Sequence, residues 1–264
     1  MPVVRFPALL AAVYHAVLRN ASNAPSRPIF GGETFFRAFD QKYFVVDTHR
    51  RILRRDHANN SLRIPKDSGK NRFSGASHNP SIASIGGLYC ALQQQALVNE
   101  AAFYRESGRT ERAALAGLPP PKPMPRSAVL SDRAAVKIRT LGPVIAADLS
   151  PHNVSALKFV NGIGGDAAVR SAMKLAGKGP KIMWEELNDP DDCSIARGFA
   201  LALAKFGYKA MCAQTVRKSE RSPFELGDNV IFFGREGKLV ETLSVVEAYL
   251  FPVIGDLQVY PVEY

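Results

Sequence analysis

The sequence predicts an α+β protein, and three features of its apolar pattern support this class. Short runs rich in aromatic and β-branched residues predict strands, namely "TFFRAF" at 34–39, "KYFVVD" at 42–47 and "NVIFFG" at 229–234. The stretch "DCSIARGFALALAKFGY", at 192–208, has apolar residues at helical spacing, and its Gly207 suits a left-handed helix terminus. Strands and helices follow one another without regular alternation, which favours a mixed α+β arrangement over repeated βαβ units.

The N-terminal apolar run predicts an amphipathic helix rather than a cleaved signal peptide. Its apolar residues recur at helical spacing: Leu9, Leu10, Val13, Val17 and Leu18. His15 and Arg19 interrupt the run, which is also short and poorly flanked for a signal peptide. We expect no stretch of this sequence to be long enough to span a bilayer.

The middle of the chain predicts less regular structure. Segment 48–70 lacks clear periodicity and is interpreted as an irregular insertion. "IGGLYCAL", at 85–92, predicts a buried strand, and a helix carrying Glu100 follows it. Five prolines between 119 and 125 favour a stiff extended segment that wraps around one domain.

The later chain predicts further core elements. "AAVKIRTLGPVIAADL", at 134–149, predicts two strands around a Gly-Pro turn. Ser150 is the expected N-cap of the next helix, with Pro151 at its first position. "KAMCAQT", at 209–215, predicts a core strand.

These elements predict three parts of the chain. Residues 1–30 form an N-terminal helix and loop, and residues 31–233 form the main domain. The main domain contains the proline-rich wrap at 108–127 and an insertion at 128–190, for which the pattern predicts no role. Residues 234–264 form a C-terminal extension that packs on the same domain.

Charge and cysteine content restrict the function classes. The formal net charge is +10 and the pI is near 9.6, with basic residues concentrated at 48–72. No zinc-ligand spacing, RNA-binding aromatic strand or phosphate loop accompanies them, so a nucleic-acid-binding module is the weaker reading. Three widely separated cysteines indicate a reducing, cytoplasmic setting, and no metal site is expected.

Four pieces in chain order resemble the RES-domain family of bacterial toxins. "FFRAF" (35–39) is similar to the family's opening arginine-containing strand, and "NRFSG" (71–75) to its Gly-Arg-Trp/Phe-Asn turn. "GGLYCALQQQALVNE" (86–100) resembles its strand-tyrosine-helix-glutamate unit. "LAKFGYKAMCAQTVR" (203–217) and "GDNVIFF" (227–233) resemble its later helix, turn and closing strands. The resemblance implies an ADP-ribosyltransferase-like fold, with a split mixed β-sheet core and surrounding helices, that consumes NAD.

The resemblance also implies the site residues. Arg72, Tyr89 and Glu100 occupy the catalytic positions: Arg72 would hold the pyrophosphate, Tyr89 the nicotinamide, and Glu100 the ribose and its developing charge. Thr215 stands where the family has serine, and it would offer a hydroxyl to the ligand. Arg37 is a second anion-binding candidate, because an arginine between phenylalanines needs a partner.

Each of these residue types also has an ordinary structural role. Glu100 can be a solvated helix residue, and Arg72 one arginine of a basic run. Tyr89 can be plain core, and Thr215 a β-branched strand residue. Arg37 can pair with a structural carboxylate.

The resemblance implies a toxin that cleaves the nicotinamide–ribose bond of NAD and depletes it, as a glycohydrolase or phosphorylase. A mono-ADP-ribosyltransferase acting on a protein target is the alternative, and a basic nucleic-acid-binding module is the second alternative. A neutralising antitoxin or immunity protein is the implied partner. An acidic partner would suit the +10 charge. No membrane partner and no metal cofactor are expected.

Overall fold

The protein is described here from a computed structural model. The described residues are 4–40, 46–47, 52–53, 55–65, 73, 75, 81–93, 110, 112–119, 121–122, 133–187, 189, 192–214, 228–250 and 258–262. No helix among them is both long and apolar enough to cross a membrane.

The strands of the described residues, in chain order, are β1 (Ser26–Ile29), β2 (Thr34–Asp40), β3 (Val46–Asp47), β4 (Ile52–Leu53), β5 (Gly86–Ala91), β6 (Arg133–Thr140), β7 (Val144–Leu149), β8 (Ala210–Gln214), β9 (Asp228–Gly234), β10 (Leu243–Leu250) and β11 (Gln258–Pro261). The α-helices, in chain order, include α1 (Pro7–Asn20), α2 (Arg55–Asn60), α3 (Val154–Gly164), α4 (Ala167–Leu175), α5 (Trp184–Leu187) and α6 (Ser194–Phe206). Residues 112–115 are also helical. The α+β class predicted from the sequence is confirmed.

Nine of these strands form one mixed sheet in the order β1-β7-β8-β9-β5-β2-β6-β10-β11, and β3 pairs with β4 separately. Of the described strand pairs, only β7–β8 is parallel, and the chain between these two strands crosses over through α3 to α6. The ladder between β2 and β5 is short: Phe36 opposite Ala91 is its one register pair among the described residues. The sheet thus has two halves that meet at this β2–β5 seam.

A bent ribbon connects the two halves at their other end. β1 leads into β2 through one short bend, and β6 leads into β7 through another. Because β1 pairs with β7 and β2 pairs with β6, the two bends lie side by side. Gly32 N donates to Thr140 O at 2.8 Å, and Thr140 N donates to Glu33 O at 3.0 Å, which holds the bends together. Gly32 has φ +90°, a conformation that favours glycine.

The core between the halves is apolar and draws on both of them. Its buried residues include Phe35 from β2, Leu88 from β5, Val136 from β6 and Phe232 from β9. The rings of Phe35 and Phe232 meet edge to face with centroids 5.4 Å apart. We call the side of each strand that faces this core the inner face, and the opposite side the outer face.

Helices cover the outer face of β7, β8, β9 and β5. The buried face of α1 confirms the predicted amphipathic helix, with Leu9, Leu10, Val13 and Val17 inside and Leu18 partly buried. Helix α6 approaches α1 closely at Gly198, where a Cβ would lie 2.9 Å from Val13 Cγ1 and 3.0 Å from Leu10 O. The glycine is therefore required by the packing of these two helices.

The described residues of the basic segment 48–70, which are 52–53 and 55–65, include regular structure that the sequence did not predict. It contains β4 and α2, and it contributes Ala58, Leu62 and Ile64 to the inner core. Ile64 fits against two facing glycines, since a Cβ on Gly86 would lie 2.3 Å from its Cγ2. The interpretation as an irregular insertion is wrong for this part, because a few apolar side chains anchor it to the sheet without any sequence periodicity.

Two other local expectations need correction. Asn153, not Ser150, caps α3, and its side chain accepts from Ser155 N and Ala156 N. Ser150 instead donates its hydroxyl to Asp148, and Pro151 lies in the turn before the helix. Ser150 and Asn153 are both residue types that cap helices, and which of them becomes the N-cap of α3 depends on where β7 ends. In "KYFVVD", residues 42–45 lie outside the described residues, and Val46–Asp47 form β3.

A buried polar cluster fastens the start of α1 to the start of α6. Asp192 Oδ1 accepts from Ser194 N at 3.0 Å, and Asp192 Oδ2 lies 3.2 Å from Lys178 Nζ. Ser194 Oγ accepts from Phe6 N at 3.0 Å. Burial alone would raise the pKa of Asp192, but the hydrogen bonds from Ser194 and the Lys178 ammonium outweigh it and lower that pKa.

Replacement of Gly198 by alanine tests the α1–α6 contact. We expect Gly198→Ala to cost about 1–3 kcal/mol of unfolding free energy, because the new methyl group overlaps Val13 and the Leu10 carbonyl. Gly162→Ala on α3 is the matched control: apart from the backbone of its own helix and its chain neighbours, nothing lies within 4 Å of the new Cβ, so helix propensity should stabilise it by up to about 1 kcal/mol. Urea denaturation measures both, and equal effects would contradict the packing argument.

Acid denaturation tests the Asp192 cluster. A carboxylate whose folded pKa is lowered stabilises the fold fully above its unfolded pKa of 3.8, and this contribution is lost as the pH falls through the folded value. Asp192→Asn should therefore lower stability at neutral pH and weaken the fall in stability below pH 3.8. Urea denaturation across this range measures the slope. Parallel curves for the two proteins would be inconsistent with the assignment.

Candidate functional site

Tyr89 lies at the centre of β5, on the outer face of the sheet. It pairs with Ile231 of β9 and packs against the apolar layer beneath the helices. All the other residues of β5 are buried, whereas Tyr89 is partly exposed. Solvent therefore reaches the middle of this strand at the tyrosine side chain.

The phenol of Tyr89 bonds to Phe73, the middle residue of the motif "NRFSG", of which the structure describes Phe73 and Gly75. Phe73 N donates to the Tyr89 hydroxyl oxygen at 2.7 Å, and the two rings lie 6.5 Å apart at 32°. Gly75 forms a bridge with Ile85, in which Gly75 N donates to Ile85 O at 2.7 Å. Gly75 has φ +111°, which explains the glycine of this turn. Two contacts thus fasten the turn beside β5, one of them through a side chain.

Arg37 lies on the other side of the same seam. It alternates with Phe36, so its side chain shares the inner face with Phe35, where Cys90 of β5 also lies. Arg37 Nη1 donates to the main-chain oxygen of Tyr89 at 3.3 Å. The guanidinium thus bonds to β5 just past the single register pair of the β2–β5 ladder.

The surroundings of Arg37 are unfavourable for a cation. Its Nε is closed off from solvent and has no hydrogen-bond partner in the described part of the chain. Burial lowers the pKa of Arg37, while the neighbouring Cys90 acts in the opposite direction. Burial also raises the pKa of the Cys90 thiol to about 12. Cys90 is therefore a protonated core residue rather than a nucleophile.

The structure thus brings Arg37 and Tyr89 together only through the backbone. Their side chains point to opposite faces of the sheet, although both are candidates for NAD binding. Sequence alternation gives the relative direction of residues within one strand, but not the alignment of two strands. Arg72, Glu100 and Thr215 lie outside the described residues, as does the helix expected to carry Glu100.

Two residues near Tyr89 received no site role from the sequence. Phe73 is fully buried and supplies the amide that Tyr89 accepts from; its place in "NRFSG", directly after Arg72, was the available signal. Asn229 is buried at the start of β9, opposite Ala91 and on the same face as Tyr89. Among the residues that the structure describes, no group of three His, Cys, Asp or Glu side chains is placed to hold a metal ion.

Comparison with known proteins leaves the family open. No family model matches the sequence, and a search of curated proteins found no match. The arguments for a function therefore come from the residues and their geometry.

Removal of the Tyr89 hydroxyl tests its structural part in the site. Tyr89→Phe leaves the amide of buried Phe73 without this acceptor, which should cost about 1–3 kcal/mol of unfolding free energy. Tyr249→Phe is the matched control, because its hydroxyl donates to Glu247, which keeps Lys137 at 3.6 Å and is partly open to water. Urea denaturation compares the two variants. A cost for Tyr89→Phe no larger than that of Tyr249→Phe would contradict this role.

Proposed function

We propose that this protein is a RES-type, NAD-consuming enzyme that cleaves the nicotinamide–ribose bond. The observation that carries the proposal is the hydrogen bond between Phe73 N and the Tyr89 hydroxyl. It joins two separate pieces of the family resemblance, since Phe73 directly follows Arg72 in "NRFSG" and Tyr89 belongs to "GGLYCAL". A chance match of two motifs does not require them to touch in the fold.

The chemistry assigns a role to each side chain. Cleavage of the N-glycosidic bond releases nicotinamide and develops oxocarbenium-like positive charge on the ribose. The partly exposed ring of Tyr89 offers a face for the planar nicotinamide. Arg72 holds the pyrophosphate through paired hydrogen bonds, and Glu100 stabilises the positive charge on the ribose. Thr215 donates a hydroxyl to the same ligand.

Arg37 has an indirect part in this proposal. Its hydrogen bond to the Tyr89 carbonyl fixes the backbone from which the nicotinamide-binding ring projects. The guanidinium lies on the inner face, so it acts through Tyr89 and is a positioning residue.

The sheet supports the finer fold assignment within the proposal. In the described part of the chain, two halves share one core and meet at a single register pair, which is consistent with the split mixed sheet expected of an ADP-ribosyltransferase-like protein. In such an arrangement the seam is where strand pairing gives way and side chains are free to meet a ligand.

The acceptor of the ADP-ribosyl group distinguishes the forms of the reaction. Attack of water or phosphate on the ribose carbon yields ADP-ribose or its phosphorylated form, and this depletes NAD. Attack by a protein side chain is the alternative, mono-ADP-ribosylation. A neutralising partner, acidic in keeping with the +10 charge, belongs to the proposal in either form.

Incubation of the purified protein with NAD tests the proposal. Nicotinamide should be released, and Arg72→Ala and Glu100→Gln should each slow the release by about 100-fold or more, because each group acts on charge in the reacting ligand. Arg235→Ala and Glu241→Gln are matched controls, because they make the same chemical changes at two described, exposed side chains outside the candidate site. Chromatography of the products, with and without phosphate or added protein, identifies the acceptor.

The same preparation distinguishes the nucleic-acid alternative. Absence of nicotinamide release from folded protein, together with oligonucleotide binding that weakens steeply as salt rises, would favour a nucleic-acid-binding module over the enzyme. Release that persists unchanged in Arg72→Ala and Glu100→Gln would refute the assigned site.

A further inference from the structure

Asn229 is a buried polar residue on a largely apolar part of the outer face. It lies near the start of β9 and is 2% exposed. It points to the same face as Ile231, which belongs to the apolar layer beneath the helices, because residues two apart in a strand share a face. Burial of a side-chain amide costs free energy unless its hydrogen-bonding groups are used. We therefore expect this side chain to have a polar task at this point of the sheet.

The side chains on either side of Asn229 are small. Asn229 pairs with Ala213 of β8 and with Ala91 of β5, so the three residues form a row across the outer face. Ala213 belongs to the apolar layer beneath the helices, whereas Ala91 belongs to a separate apolar cluster with Ala135 and Tyr249. Asn229 thus lies where two apolar clusters of the outer face meet, between two methyl groups that extend only a short way from the sheet.

Asn229 is also adjacent to the candidate site. Tyr89 pairs with Ile231 across the β5–β9 ladder. Asn229 lies two residues from Ile231 on the same face, so it is a diagonal neighbour of Tyr89. Diagonal positions on one face of an antiparallel pair are about 7–8 Å apart, within reach of aromatic and long side chains. Because Tyr89 is partly exposed, the two residues can offer an aromatic ring and an amide to one ligand.

Nicotinamide has the two groups that such a pair can bind. Its ring is planar, and its carboxamide has an NH₂ donor and a carbonyl acceptor. An asparagine side chain has the same donor and acceptor, so two amides can each donate one hydrogen bond and accept another. A nicotinamide ring that lies on Tyr89 carries its carboxamide at the ring edge, within reach of a side chain that starts about 7–8 Å away.

We propose that Asn229 binds the carboxamide of nicotinamide and is a specificity-determining residue of the candidate site. Its Oδ1 accepts from the carboxamide NH₂ group, and its Nδ2 donates to the carboxamide oxygen. The inference rests on the proposed reaction with NAD, and it adds the group by which the site distinguishes nicotinamide from other pyridines. A site of this kind rejects an analogue that lacks the donor, because the buried acceptor then loses a hydrogen bond.

Release of the pyridine base from NAD and from 3-acetylpyridine adenine dinucleotide tests the inference. The analogue keeps the carbonyl group but has a methyl group in place of NH₂. Wild type should prefer NAD by about tenfold or more in kcat/KM, and Asn229→Leu should reduce this preference to about twofold or less. The two substrates differ in intrinsic reactivity, but that difference is the same for every variant. A change in the preference therefore reports the contact.

Two further variants separate recognition from stability. Asn229→Asp keeps an acceptor for the NH₂ group, so it should retain the preference for NAD. Thr140→Val is the matched control, because it removes a buried hydroxyl that donates to Phe30 O at the bends of the sheet, away from the candidate site. It should lower thermal stability and change the preference by no more than about twofold. Thermal denaturation shows which variants are folded.

Saturation-transfer NMR with the free bases provides a readout that needs no turnover. Nicotinamide should bind wild type more tightly than 3-acetylpyridine does, and Asn229→Leu should bind the two bases alike. Preferential binding of nicotinamide without its release from NAD would support the role of Asn229 and refute the proposed reaction.

Three outcomes would overturn the inference. One is a wild-type protein that does not distinguish the two bases in either experiment, which requires no variant to fold. Another is a preference for NAD that Asn229→Leu retains; the release of nicotinamide would then still support the proposed reaction, and the asparagine would have a structural part alone. The third is absence of both release and binding, in which case the proposed reaction fails as well.

Discussion

Tyr89 connects β5 to Phe73 on one face of the sheet and to β2 on the other. Tyr89 accepts a hydrogen bond from Phe73 N through its hydroxyl, and its carbonyl accepts one from Arg37. The first bond fixes the backbone at Phe73 on the outer-face side of β5, and the second ties β5 to β2 from the inner face. Among the described residues the sheet has one register pair at this seam, so side-chain hydrogen bonds hold the strands where the backbone ladder is short. Loss of either bond would loosen the strand at the point where the candidate site lies.

The position of Arg37 is unfavourable for a cation. Its guanidinium is partly buried beside Phe35 and Cys90, and its Nε, closed off from solvent, lacks a described partner, which costs free energy that a methionine would not. Such a cost is tolerated where it fixes a geometry that packing alone leaves undetermined. Here the hydrogen bond from Arg37 fixes the position of the Tyr89 carbonyl, which lies where β2 and β5 separate. The same residue carries the ring on the outer face.

Much of the fold was predictable because it follows from local sequence patterns. The α1 stripe, the α6 helix with Gly207 and the buried strand "IGGLYCAL" each follow from periodicity over a few turns or pleats. The described structure within 48–70 was not predictable, since Ile64 is positioned by residues distant in sequence: its side chain packs against two facing glycines, and its backbone hydrogen-bonds to residues 237 and 238. The face of Arg37 was not predictable either: both faces of β2 are apolar, so alternation shows no difference between core and cleft. The contact of Phe73 with Tyr89 depends on tertiary structure alone.

The central claim is that the Tyr89 hydroxyl holds the backbone at Phe73. Native-state hydrogen exchange of the Phe73 amide, compared between wild type and Tyr89→Phe, tests it most directly, with the Leu88 amide in the neighbouring strand as internal reference. We expect the Phe73 amide to exchange about tenfold faster in the variant, relative to Leu88, because one buried hydrogen bond is lost. An unchanged ratio would show that the turn is held by other contacts, and the claim would be wrong.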